Sequence, residues 1–242
     1  MSGGRFGCGH RADWVVEAAQ IAKAAGAPVQ VFWTREDDTK GGHHRPFSRH
    51  LLSGGLGPAS NGASKPITVF SHVVLSPSIS GQASGKNSGL DWSAVKGVYD
   101  MPYAFANKYA GYVRANTPVP ITWWRSVHLS QNPFTNECFL DELCHAAGRD
   151  PLAVRLELMS TGSRLRAALQ KAASAAGWGK KLPAKEGLGL ACVSGYGSHI
   201  GMVAHVKVGS DNVVTVKRVT AAVGSGNGLI TPHVGSAVEC SR

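Results

Sequence analysis

Between Asp13 and Ala25 the apolar positions recur at helical spacing: Trp14, Ala18, Ile21, Ala22 and Ala25 share one stripe. Asp13 reads as the N-cap, and Gly26 with Pro28 just beyond it ends the helix. The short apolar run from Val29 to Trp33 then predicts a buried strand, closed by the charged turn Arg35-Glu36-Asp37-Asp38. From Gly41 to Ser64 the chain is rich in Gly, Ser and His, which predicts a loop with a short strand near His50. Ile67 to Leu75 alternates, with Ile67, Val69, Val73 and Leu75 on one face of a predicted strand. Ser76 to Gly89 reads as another polar loop.

In the second half the punctuation is sharper. Phe139, Leu140, Leu143, Ala146 and Ala147 form one helical face that Gly148 terminates. Asp150-Pro151 restarts a helix, an acidic cap followed by proline at the first helical position. Ser163 caps a third helix carrying Leu165, Ala168, Leu169, Ala172 and Ala176 up to Gly177. Ile200–Val208 and Val213–Val223 flank the turn Gly209-Ser210-Asp211-Asn212, a hairpin pattern. The predicted class is therefore α/β (α+β), with mixed sheets, flanking helices and long loops. The opening loop, helix and strand are half of an α/β unit that lacks its first strand, and Cys240-Ser241-Arg242 follows no closing element. The expectation is a piece of a larger subunit.

Composition narrows the function classes. An apolar fraction of 43% suffices for a core, and 30 glycines with 12 prolines fit many short connections. The formal charge of +10 is spread singly and in pairs, such as Arg164 with Arg166 and Lys217 with Arg218. Without a run of like charge or an RNA-binding signature, the reading is a solvated basic surface and no nucleic-acid partner. Five cysteines (Cys8, Cys138, Cys144, Cys192 and Cys240) contain no C-x-x-C pair, so neither a zinc site nor a dithiol motif is expected. No segment approaches the roughly 20 apolar residues of a membrane helix. The first residues hold no signal-peptide core, and the compartment, cytoplasmic or periplasmic, stays open.

The sharpest local motif is the loop Gly3-Gly4-Arg5-Phe6-Gly7-Cys8-Gly9 before a helix, because successive backbone N–H groups there can cradle a phosphate. Gly7 to Ala12 spells G-x-G-x-x-A, with Glu36 as the acid for a ribose, and so keeps a nicotinamide or flavin nucleotide as one alternative. His43 and His44 are adjacent and face different ways, which with His50 suits a loop better than a metal site. No G-x-S-x-G elbow marks a nucleophile, and Asp141 and Glu142 read as solvated carboxylates on a helix surface.

Several collinear segments resemble one family. Asp13 to Val29 running into Phe32-Trp-Thr-Arg-Glu-Asp-Asp is similar to the large (beta) subunit of isoquinoline 1-oxidoreductase-type molybdenum hydroxylases, of the xanthine dehydrogenase and aldehyde oxidase superfamily. Trp124-Arg-Ser-Val, Ser130-Gln-Asn, Phe139-Leu-Asp-Glu-Leu-Cys-His-Ala-Ala-Gly-Arg-Asp-Pro-Leu, Arg164-Leu-Arg, Ala176-Gly-Trp-Gly and Gly197-Ser198 continue the likeness in order. It weakens over 53–100 and after 220.

The resemblance implies part of a binding region for molybdopterin cytosine dinucleotide, a small-molecule substrate (an N-heterocycle or aldehyde) oxidised with water as oxygen source, and a small [2Fe-2S] iron–sulfur partner subunit. By position it assigns the cofactor to Gly3, Gly4, Phe6 and Gly7, to Trp124, Arg125 and Ser126, and to Gly197 and Ser198. The implied organisation is a first cofactor domain over 1–135, a helical segment over 136–180, and the start of a second cofactor region over 181–242. The chain departs from the family pattern at Arg5, Cys8, Gly9, His128 and Gly224-Ser225. The family's glutamate base lies near the end of the subunit, and Glu239 does not sit in that motif, so no catalytic residue is carried over. Two expectations follow: inactivity in isolation, with exposed apolar faces that promote aggregation, or a non-catalytic remnant serving as an interaction module.

Overall fold

The computed structural model describes residues 13–59, 65–85 and 89–226. Its elements run α1 (Asp13–Ala25), α2 (Arg35–Gly41), β1 (Arg49–Leu56), β2 (Ile67–Pro77), α3 (Ile79–Ser84) and β3 (Asn107–Ala115). A 3-10 turn at Val127–Leu129 leads into α4 (Gln131–Ala147), α5 (Pro151–Leu158) and α6 (Arg164–Ala176). The chain then forms β4 (Glu186–Gly195), β5 (Ser198–Val208) and β6 (Val214–Gly224). Two three-stranded sheets result. The first has order β1-β2-β3, antiparallel then parallel; the second is the antiparallel meander β4-β5-β6. The α/β expectation with mixed sheets holds.

The helices of the second half begin and end where their local signals place them. Asp150 and Ser163 each accept a bond at the start of their helices, from the backbone N–H of Ala153 and Arg166. Gly148 and Gly177 end α4 and α6 in the left-handed conformation, at φ of 66° and 74°, where a Cβ would be strained. The predicted hairpin is β5–β6, with the Gly209 N–H donating to the Val213 carbonyl across its turn.

Helix α4 ties the two sheets together. Leu140, Leu143 and Cys144 on its inner face pack with Phe70 of β2, Leu165 and Leu169 of α6, and Leu190 and Val203 of the second sheet in one buried cluster. Each such side chain contributes about 1.5–3 kcal/mol on burial. Phe70 stacks on Phe105 at 4.8 Å between ring centroids and meets Phe139 edge-on at 5.5 Å. Helix α6 lies on β5 at Gly201, so closely that a Cβ there would stand 2.6 Å from the Leu169 Cα and 2.7 Å from its backbone N. Backbone cannot swing aside, so Gly201→Ala is expected to lower stability by about 1–3 kcal/mol. Gly187→Ala, which meets nothing within 4 Å, should stay within about 0.5 kcal/mol. Urea midpoints at constant slope compare the two.

Five expectations need correction. Val29–Trp33 forms no strand: no neighbouring strand pairs with it, and Phe32 and Trp33 are exposed. Arg35 to Asp38 is not a turn but the first turn of α2, closed by a capping box in which the Thr34 Oγ1 accepts from the Asp37 N–H at 3.2 Å and the Asp37 Oδ2 accepts from the Thr34 N–H at 3.0 Å. Asp13 is itself helical, its Oδ1 accepting from the Trp14 N–H at 3.0 Å, and the apolar stripe of α1 buries no residue. On β2 the core face is Phe70, His72, Val74 and Ser76; Ile67 is buried too, but Val69 is exposed and Val73 and Leu75 are only half-covered. Apolar residues occupy both faces of this strand, and alternation alone chose the wrong one. Its polar members are buried because they find partners. The Ser76 hydroxyl donates to the Phe47 carbonyl at 2.9 Å, and His72 contacts His50 and Asn136. Ser76 to Gly89 also contains a short helix, α3, rather than loop alone.

Candidate functional site

Trp124, Arg125 and Ser126 form a tight turn between the strand-like entry at Ile121 and the 3-10 turn before α4. The Val127 N–H donates to the Trp124 carbonyl at 2.8 Å, closing the turn, and Ser126 and Val127 carry φ of 67° and 53°. Left-handed geometry at a β-branched valine is uncommon and persists only where surroundings hold it. Arg45 supplies that hold. Its guanidinium donates to the Arg125 carbonyl at 3.0 Å, to the Val127 carbonyl, and to the Ser130 hydroxyl at 2.7 Å. The turn's carbonyls are thereby drawn toward Arg45.

The neighbouring strand-like segment is fixed from the same side. The His44 N–H donates to the Pro120 carbonyl at 2.9 Å, and the His44 carbonyl accepts from Thr122 at 3.0 Å. The Trp124 indole N–H donates to the His43 carbonyl at 3.1 Å, and the His43 ring faces the Asp13 carboxylate at 3.3 Å. The start of α1 at Asp13 is thereby held beside the Trp124 turn. Gly3, Gly4, Phe6 and Gly7 lie outside the described residues, as do Arg5, Cys8 and Gly9.

Gly197 and Ser198 belong to the hairpin linking β4 to β5. Tyr196 and Gly197 are its two turn residues, at φ of 50° and 78°, and Tyr196 is exposed at the tip. Leu129 joins this hairpin to the Trp124 turn: a Cβ on Gly195 would stand 2.2 Å from the Leu129 Cδ1. Two of the three assigned loops therefore converge around Leu129. Sequence reading missed Arg45, whose only signal was an isolated cation in a polar stretch.

Beneath Leu129 lies a cavity of about 20 Å³, lined by Gly97, Asp100, Tyr103, Asn136, Cys192 and Ser194 among others. That is room for about one water, not for a substrate. Two polar networks reach its walls, one through Tyr103, Glu137 and Cys192 and one through Asn136. In one, the Glu137 carboxylate accepts from the Tyr103 hydroxyl at 2.6 Å, from the Cys192 N–H at 3.0 Å and from the Arg155 Nε at 3.0 Å, while the Arg155 Nη1 donates to Asp141 at 2.7 Å. Asp141, expected as a solvated carboxylate, is thus an ion-pair partner. Burial raises the Tyr103 hydroxyl well above its ordinary value and lifts the Cys192 thiol to about 12, so neither is poised as a base or nucleophile.

The second network runs Ser48–His50–His72–Asn136. The His50 Nε2 meets Ser48 at 2.8 Å, the two rings meet at 2.8 Å, and the His72 Nδ1 meets the Asn136 Oδ1 at 2.6 Å. The Asn136 amide nitrogen donates to the Gly97 carbonyl at 2.6 Å, so its oxygen faces His72 and the His72 Nδ1 must donate. Burial lowers the His72 pKa to about 4, so the ring is neutral and its Nε2 accepts from His50. Among the described residues no group of His, Cys, Asp or Glu is arranged to hold a metal ion, and no helix is long and apolar enough to cross a membrane.

Comparison with known proteins follows the same lines. No family model matches the chain. It is 28% identical over 240 residues to the isoquinoline 1-oxidoreductase subunit beta of Brevundimonas diminuta, covering 93% of this chain and 29% of that one. It is 29% identical over 266 residues to the membrane-bound aldehyde dehydrogenase [pyrroloquinoline-quinone] of Gluconacetobacter polyoxogenes, covering 93% and 32%. The chain spans about a third of the length of these curated relatives. Among solved structures, the aldehyde oxidoreductases of Desulfovibrio gigas and Desulfovibrio desulfuricans superpose with TM-scores of 0.53 and 0.52, at 20% and 17% identity, each over 88% of this chain and 25% of theirs. The resemblance read from the residues is therefore borne out: nearly the whole chain is similar to part of an isoquinoline 1-oxidoreductase beta subunit, and it takes the α/β fold of the corresponding part of the aldehyde oxidoreductases.

Proposed function

We propose that the chain forms part of the molybdenum-cofactor-binding region of an oxidoreductase that hydroxylates N-heterocycles or oxidises aldehydes. The observation that supports this most directly is the convergence of the Trp124–Ser126 turn and the Gly195–Ser198 hairpin on Leu129. The donor chemistry fits the group. Arg45 takes up the Arg125 and Val127 carbonyls and the Ser126 hydroxyl donates to the Arg125 carbonyl, so the turn carries a guanidinium at Arg125 and a flat indole at Trp124. Such a set suits a phosphate-bearing ligand with planar rings. In this reading Gly3, Gly4, Phe6 and Gly7 add backbone N–H donors, and Gly197 and Ser198 close the far side. Residues 1–135 and 181–242 then carry the two cofactor-binding regions, joined by the helical segment 136–180.

The ligand would be molybdopterin cytosine dinucleotide, which would supply oxygen transfer from water to an electron-poor carbon, with two electrons and one proton leaving the substrate C–H bond and a second proton leaving the water. A small [2Fe-2S] subunit would take the electrons. The residues described supply binding and orientation rather than proton transfer, since the buried Tyr103 and Cys192 stay protonated at neutral pH. The test is elemental analysis with pterin fluorescence on the protein purified from a molybdenum-supplied host. Near-stoichiometric metal and pterin are expected, with a severalfold loss in Arg125→Gln. Absence of both from a folded protein sinks the reading.

A second reading, a non-catalytic interaction module, draws on the exposed apolar surface of Trp14, Val15, Val16, Phe32 and Trp33. Retention of a protein partner by metal-free preparations would favour it. The nicotinamide or flavin alternative loses its structural context. Val29–Trp33 is not a strand and Glu36 lies inside α2, so the unit that should follow Gly7–Ala12 is not built.

A further inference from the structure

The segment His43-His44-Arg45 leads into β1, and each of its residues reaches the Trp124 turn by a different group. The His43 carbonyl accepts from the Trp124 indole N–H at 3.1 Å. The His44 backbone bridges to Ile121, donating to the Pro120 carbonyl at 2.9 Å and accepting from the Thr122 N–H at 3.0 Å, which fixes the entry to the turn. Arg45 grips the turn itself. Its Nη2 donates to the Arg125 carbonyl at 3.0 Å, and its Nη1 to the Val127 carbonyl and to the Ser130 hydroxyl at 2.7 Å. Ser130 is the residue from which α4 starts, so one guanidinium spans the chain from Arg125 to the head of that helix.

What Arg45 binds narrows its role. Among the described residues its guanidinium is answered by two carbonyls and a hydroxyl, and burial lowers its pKa with no anion pulling it back up. A half-buried guanidinium held this way orients peptide groups rather than balancing charge. The peptides it orients flank Ser126 and Val127, at φ of 67° and 53°. Left-handed geometry at a valine lasts only while its surroundings enforce it. Either peptide, if rotated, loses its bond to Arg45, so the grip and the shape of the turn are one state. A lysine ammonium lacks the planar fork that meets both carbonyls at once.

We propose that His43-His44-Arg45 is the clamp that positions the Trp124–Ser126 turn, and that Arg45 governs how firmly that turn retains its cofactor. The second half of this rests on the cofactor reading of the turn. Arg45 is a positioning residue: its terminal nitrogens are taken by the protein, and it acts by fixing where Trp124 and Arg125 leave the backbone. Its loss should speed departure of the cofactor without unfolding the chain, since the buried cluster around α4 does not include it.

The experiment has two arms, both on the whole chain. The first, on protein without cofactor, reads the Cα and Cβ chemical shifts of Ser126 and Val127 by NMR. Left-handed values are expected in the wild type. Arg45→Gln and Arg45→Lys should move them toward right-handed or extended values while the signals of α6 stay in place. The second arm times the release of pterin, by fluorescence, from protein purified from a molybdenum-supplied host. Release should be severalfold faster in Arg45→Gln and unchanged in Arg218→Gln, an exposed position on β6. In Arg45→Gly it should slow again when guanidinium is added far below denaturing concentration, a response that a merely structural role would not give. If Arg45→Gln does not fold, Arg45→Lys carries both arms. Val127 shifts unmoved by either substitution would overturn the clamp, and moved shifts with unchanged release would overturn the role in retention. A wild type with left-handed shifts but no pterin would sink the cofactor reading and the retention role with it, while the first arm still decides the clamp.

Discussion

Arg155→Ala is expected to remove about 3–5 kcal/mol of folding stability, the usual cost of stripping one partner from a buried ion pair. Arg155 is fully buried at the junction of α4 and α5. Burial opposes its charge, but Glu137, Tyr103 and Asp141 outweigh it and hold the guanidinium more firmly protonated than in water. Glu137 feels the reverse balance: burial raises its carboxyl, and Arg155 pulls it back. Removing Arg155 leaves that carboxyl among Leu, Tyr and Cys side chains with only neutral donors. The Arg155 Nη2 also donates to the Glu137 backbone carbonyl at 3.0 Å, and Nη1 to the Pro151 carbonyl at 3.2 Å. Lysine cannot reproduce this fork, so Arg155→Lys should recover little. The double change Arg155→Met with Glu137→Gln should cost less than the two single changes together, because it removes charge from both sides. Urea denaturation of the four proteins measures this. A loss below about 1 kcal/mol for Arg155→Ala would show that the pair is not buried as described.

That network also marks where sequence reasoning stops. Helices α4, α5 and α6 were legible because their signals are local: Gly148, Asp150-Pro151, Ser163 and Gly177 act within a few residues. The β5–β6 hairpin was legible for the same reason. Strand β3 was not, since Lys108 and Arg114 interrupt it and its parallel pairing with β2 depends on a distant partner. Strand β4 carries Gly187, Gly189 and Gly195, which weaken any strand pattern. Val29–Trp33 has the composition of a strand but no partner, and pairing, not composition, makes a sheet. Glu137 and Asp141 stand four apart on α4, and that spacing was the one trace of a shared cation. Which arginine it would be, 14 and 18 residues away, is a tertiary fact. Trp124, Arg125, Ser126, Gly197 and Ser198 came from resemblance alone. The packing of Leu129 on Gly195 beside the Ser126 turn, and the grip of Arg45, appear only in three dimensions.

Stability should fall steeply between about pH 6.5 and pH 4, because His72 and His128 are buried in the neutral form. Burial lowers both rings from 6.5 to about 4. For His72 the Asn136 bond opposes that shift and the nearby His50 adds to it; for His128 Asp91 opposes it while Arg45 and His50 add to it. Above pH 6.5 neither folded nor unfolded chain protonates these groups, and stability does not depend on them. As pH falls through 6.5 the unfolded chain takes up protons that the folded chain refuses, so the equilibrium shifts toward unfolding. Below pH 4 both states are protonated and the dependence flattens. Each ring contributes on the order of 3 kcal/mol across that window. The structural reasons differ. Protonating the His72 Nε2 would set two N–H groups against each other across its 2.8 Å contact with His50. For His128 the attraction of Asp91 and of the Ser93 backbone does not make up for the burial of the ring, so the charged form is disfavoured in its place. Asp91, held near 2, acts in a separate window, its contribution present above its ordinary value of 3.8 and lost as pH falls through about 2. His128→Leu should therefore remove about half of the slope between pH 6.5 and pH 4 while leaving the acid limb of Asp91 intact. Urea unfolding at half-unit steps from pH 7 to pH 3 separates these contributions, and a flat profile down to pH 5 would mean that both rings reach water.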